Sequence, residues 1–75
     1  MNASGRSITV GAVVRLNVHN MKRHVRDRVQ ERIRDKKEMH GRFTVCEIAA
    51  GHATLQSTRG MHVTVPKDIL IPIPN

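Results

Sequence analysis

The sequence has no tryptophan, no tyrosine and one phenylalanine, Phe43. Proline-rich ligands and cages for methylated ammonium groups, which need several aromatic faces, are therefore not expected, and base reading by stacked aromatics is weakened. Cysteine is almost as scarce. Cys46 stands alone, so no internal disulfide forms and a reducing, cytoplasmic setting is expected. No apolar run approaches the roughly 20 residues that cross a bilayer, and the N-terminus lacks a hydrophobic signal core. Carboxylates are few, six against 13 Lys and Arg, so the net charge is +7 and the sequence pI about 11.2. With 75 residues and 8.5 kDa, the chain is expected to form a single domain over residues 8–75 behind a flexible segment, residues 1–7.

Val and Ile together occur 15 times, Leu only three. β-Branched side chains favour strands, because they are stiff at χ1 and pack well on a pleated surface. They concentrate in an N-terminal run, residues 8–18, and a C-terminal half, residues 42–73. In that half Phe43, Val45, Cys46 and Ile48 predict a strand with a bulge near Val45 and Cys46. Ala50-Gly51 predicts a tight hairpin. Ala53 and Leu55 predict the next strand, a turn follows at residues 57–60, and Met61, Val63 and Val65 alternate with His62 and Thr64. A helical turn at Lys67-Asp68 and a last strand, residues 69–73, complete five strands. Pro72 puts that last strand at an edge.

The intervening residues, 20–39, contain no Gly or Pro and predict a helix. Asn20 is the expected N-cap and Gly41 the expected stop. Met21, Val25, Val29 and Ile33 recur every fourth position, a narrow stripe suited to lie on a sheet or barrel end.

The segment from Val63 to Ile73 resembles the strand, proline-led 3₁₀ turn and closing strand that end SH3-like barrels. The opening from Val10 to Leu16 is similar to the start of KOW-like and Tudor-like barrels of that class. The resemblance implies a mainly β fold, a five-stranded SH3-like barrel with a basic α-helix inserted after the first strand. The aromatic ligand platforms of such barrels are not present here.

Between residues 20 and 42 there are nine basic residues against four acidic ones, a net of +5. At roughly 100° per residue, Asp27, Glu31, Asp35 and Glu38 share one helix sector. Arg23, Arg26, Arg34 and Lys37 share the adjacent one, while Arg28 and Arg32 flank the acids on the other side. Such a helix can simply be solvated, with Arg28–Glu31 and Glu31–Arg34 pairs each contributing a few tenths of a kcal/mol. Its functional reading is a non-catalytic module that binds the DNA or RNA backbone. Lys22, Arg23, Arg26, Arg34, Lys37 and Arg42, with Arg15 and Arg59 from the strands, would contact phosphates. The alternative is a protein-interaction module or inhibitor that uses Asp27, Glu31, Asp35 and Glu38 and its strand edges, or a homodimer of antiparallel helices. A membrane partner is not expected, since the stripe it would need is also the core-facing one.

Little else points to chemistry. The five histidines have no zinc spacing, and no metal or cofactor is expected. His62 is expected to stand opposite Leu55. Cys46, in an apolar strand, reads as a buried and inert thiol. Glu47 and Asp68 are the only carboxylates outside the helix, and there is no phosphate-binding glycine loop. The chain reads as a non-enzyme.

Overall fold

The structure, a computed structural model, describes residues 8–33 and 35–73, so the expected flexible segment and Arg34 lie outside the described residues. It is mainly β. Strands β1 (Val13–Leu16), β2 (Phe43–Ala49), β3 (His52–Ser57), β4 (His62–Pro66) and β5 (Leu70–Pro72) form one antiparallel sheet. Its order is β4-β3-β2-β1-β5, so the first and last strands are neighbours and β4 and β5 are the edges. A 3₁₀ turn, Val18–Asn20, and helices α1 (Arg23–Arg32) and α2 (Lys36–Met39) connect β1 to β2.

The β2–β3 hairpin closes on two residues with positive φ, Ala50 at 51° and Gly51 at 78°. Two such residues make the type I′ turn whose twist matches antiparallel strands. Glycine adopts this conformation freely, whereas Ala50 carries a Cβ against its carbonyl. The expected bulge is present: the register slips between Val45 and Glu47. At the next turn the buried Ser57 hydroxyl accepts the amides of Arg59 (3.3 Å) and Met61 (3.1 Å), which satisfies two donors in a tight reversal. Pro66 remains within β4, a 3₁₀ turn occupies Lys67–Ile69, and β5 with Pro72 is an edge as expected.

The inner face of the sheet carries Val14, Leu16, Phe43, Val45, Ala53, Leu55, Val63 and Val65, all buried. Across it lie Met21, Val25, Val29 and Ile33, the stripe read from the sequence, joined by Met39. Burying each such side chain stabilises the fold by roughly 1.5–3 kcal/mol.

Helix boundaries differ from expectation in two ways. Asn20 is not an N-cap; it closes the 3₁₀ turn, and Lys22 precedes α1 without a side-chain cap. Extended backbone at Met21 (ψ 124°) turns that side chain into the core before the helix begins. The expected helix over 20–39 is also interrupted. Ile33 is extended (φ −121°, ψ 100°), which keeps it buried, and Asp35 then starts a new turn by accepting the Lys37 amide at 2.9 Å. An aspartate that offers the backbone this local bond competes with helix continuation.

Met61 is the remaining departure. Its alternation with Val63 and Val65 predicts an inward side chain, but it is 41% exposed, because it lies in the turn, beyond the end of β4 and the core beneath it. The hairpin yields a direct stability test. Replacing Ala50 by Gly should remove a left-handed-region penalty of about 1–2 kcal/mol, partly offset by the greater freedom of the unfolded chain. Thermal unfolding followed by circular dichroism should show a rise in Tm of a few degrees; an unchanged or lower Tm contradicts the strained-turn assignment.

Candidate functional site: a cationic trough across β1 and the α2–β2 turn

The β1–β2 register pairs Val13 with Thr44 and Val14 with Phe43. One step further sets Arg15 opposite Arg42, the residue just before β2. Arg15 also stands opposite Ile71 of β5. Both arginines are exposed, on the outer side of the sheet. Like charges directly opposite across antiparallel strands repel, and among the described residues neither has an ion-pair partner within 4.0 Å.

A shallow depression of about 360 Å³ forms between them, lined by Arg15, His40, Gly41, Arg42, Pro72 and Ile73. A second, of about 290 Å³, shares Arg15 and His40 with it and is lined also by Asn17, His19 and Ile71. Together they make one trough with two guanidiniums, two imidazoles, an amide and an apolar wall from β5. Among the described residues no carboxylate lines either part. The α2–β2 turn is held there by two buried anchors, Met39 and Phe43, with the Gly41 amide donating to the Glu38 carbonyl at 3.0 Å. A Cβ on Gly41 would lie 3.3 Å from that carbonyl oxygen, tighter than most real contacts.

The other expected cations are dispersed. Lys22, Arg23 and Arg26 sit at the start of α1, where Arg26 donates to the Val18 carbonyl at 3.2 Å and ties the helix to the 3₁₀ turn. Lys37 lies on α2. Arg59, in the β3–β4 turn, faces Asp35 at 3.8 Å; Arg59 is well exposed and Asp35 partly so, and such a pair contributes little. Of the eight expected phosphate contacts, the structure brings Arg15 and Arg42 together at the trough, and Arg34 is outside the described residues.

The acidic stripe is divided by the helix interruption. Asp27 and Glu31 remain on α1, Asp35 is engaged as a cap, and Glu38 lies on α2, with Oε1 buried and no hydrogen-bond partner among the described residues. The four acids are thus distributed over two helices and the turn between them.

Arg28 and Arg32 are elsewhere. With Glu31 from α1 and His62, Val63 and Thr64 from β4 they line a groove of about 380 Å³. His62 stands opposite Gln56 and not Leu55, one position from expectation. Among the described residues no group of three or more His, Cys, Asp or Glu is placed to hold a metal, and no helix is long and apolar enough to cross a membrane.

His19, His40 and Asn17 were not singled out from sequence. A signal was present: His40 lies two residues before Arg42, and His19 four after Arg15. Only the strand register shows that the two pairs converge.

Compared with known protein families, curated proteins and solved structures, the chain matches none.

Cys46 requires correction. It is exposed, not buried, because the bulge spends Cys46 and Glu47 on the outer side before Ile48 turns inward; its Sγ lies 3.7 Å from the Thr44 carbonyl. In the native protein Cys46 should react with iodoacetamide at a rate within a few-fold of that in the denaturant-unfolded chain, since access governs such rates as well as thiolate character. Protection by orders of magnitude, read by mass spectrometry, would restore the buried assignment.

Proposed function

We propose that the chain is a non-catalytic nucleic-acid-binding module that holds phosphate groups in the trough of Arg15, His40 and Arg42. The observation that carries this reading is the juxtaposed Arg15 and Arg42 with no carboxylate among the described residues that line the depression between them. Two guanidiniums in mutual repulsion are relieved by an anion that both can bind, and the planar guanidinium fork matches phosphate oxygens bidentately. His40 and His19, which line the same depressions, offer further polar contacts to a bound strand. Imidazole and guanidinium planes also stack on bases, a means of contact that needs no Tyr or Trp. Pro72 and Ile73 offer an apolar wall for a sugar or base. Contacts of this kind fix position and carry little sequence information.

The strand order and the 3₁₀ turn before β5 support an SH3-like barrel as the class of fold. In that reading α1 and α2 occupy the place of the long loop after the first strand. The basic sector of the helix, which the sequence favoured as the contact surface, is supplementary: Lys22, Arg23, Arg26 and Lys37 raise the surrounding potential and hasten encounter.

Binding of a labelled single-stranded oligonucleotide, DNA or RNA, tests the proposal by fluorescence anisotropy. If about four phosphates are neutralised, affinity should fall by nearly two decades between 50 and 200 mM salt. Arg15→Ala and Arg42→Ala should each weaken binding by about tenfold, evenly across sequences, and reduce the salt slope by about one unit. Arg23→Ala should have the smaller effect. Binding without salt dependence, or unaffected by both trough substitutions, refutes the assignment.

A further inference from the structure

The sheet has two edges, and they differ in what they offer. On β5, the Ile73 amide donates to Val13 and the Asn17 amide to Ile69, so positions 69, 71 and 73 bond inward. Alternation then turns the main chain of Leu70 and Pro72 outward, and Pro72 has no N–H to give. That edge is closed to a further strand.

β4 is the opposite case. The Ser57 amide donates to the Met61 carbonyl at 2.8 Å, which makes this a hydrogen-bonded pair. With the register Leu55↔Val63 and Thr54↔Thr64, the bonded positions are Val63 and Val65. The main-chain groups of His62 and Thr64 therefore point away from β3. Among the described residues, neither makes any backbone hydrogen bond outside the sheet. This edge is bordered by the α1–β4 groove, where Arg28 and Arg32 are exposed and form no ion pair within 4.0 Å among the described residues.

We infer that the β4 edge is a docking site for an extended acidic segment of a partner protein. The segment adds as a strand beside His62–Thr64 and sets its carboxylates against Arg28 and Arg32. Two guanidiniums outweigh Glu31, the one carboxylate among the described residues that line the groove, and the protein's net charge of +7 likewise favours an acidic partner. A second copy of this chain fits poorly. Two-fold pairing of β4 with β4 would bring both copies' Arg28 and Arg32 together, and the other edge is closed by Pro72. The site uses none of the trough residues and stands whether or not the trough binds phosphate. It also reverses the expected polarity of a protein interface, with cations of the helix in place of its acids.

The test uses the wild-type protein and a capped nine-residue peptide of alternating Glu and Val, with amide hydrogen exchange read by NMR. In the free protein, the His62 and Thr64 amides should exchange at least about tenfold faster than those of Val63 and Val65. Saturating peptide should slow them by about tenfold or more, whereas the same peptide N-methylated at alternate residues should not. Arg28→Gln with Arg32→Gln should raise the Kd about tenfold, and Glu31→Gln should lower it. His62 and Thr64 amides already protected in the free protein overturn the inference without any variant. So does an N-methylated peptide that binds equally well. An oligonucleotide that protects the same two amides as strongly would make the groove a general anion site and overturn it too.

Discussion

One face of a five-stranded sheet must be kept from water, and in this chain the segment between β1 and β2 does it. Val25, Val29 and Ile33 close over Val14, Phe43, Leu55 and Val65, and the rest of the molecule is arranged around that contact. A domain of this size buries a modest share of its surface, so loss of this cover removes much of its margin of stability. The same burial positions the functional surface. Met39 and Phe43 are pinned in the core on either side of His40, Gly41 and Arg42, so the turn that bears these residues is presented outward over β1. Along β4, the packing of α1 places Arg28 and Arg32 next to the open edge.

Much of the fold was legible because its signals are local. The i,i+4 stripe from Met21 to Ile33, the Ala50-Gly51 turn, the broken alternation at Val45 and Cys46, and Pro72 at an edge each follow from short-range stereochemistry. The misreadings arose where tertiary demands override such signals. Ile33 leaves helical geometry to stay in the core, and Asp35 exploits the break by capping a new turn. Cys46 follows its bulge outward and not its apolar neighbours inward. Asn20 would cap an isolated helix, yet Met21 must first enter the core, which delays α1 by one half-turn or more.

The candidate site was only half legible, for a related reason. Charge summed along a helix is visible in a sequence, and it drew attention to residues 20–42. Charge summed across strands is not. Arg15 and Arg42 are far apart in the chain and become neighbours solely through the β1–β2 register. The carboxylates show the complementary effect: four of the six lie in the helical segment, and among the described residues none lines the trough. The +7 charge thus matters less as a total than as a partition. The helix holds most of both signs, while the trough holds few charges of one sign.

The most direct test of this account is a titration of isotopically labelled protein with a short single-stranded oligonucleotide, followed by amide chemical shifts. The proposed trough predicts that the largest changes fall on Arg15, Asn17, His19, His40, Gly41 and Arg42, with small ones over α1. Largest changes on Arg23, Arg26 and the rest of the outer face of α1, or none at low salt, would contradict it.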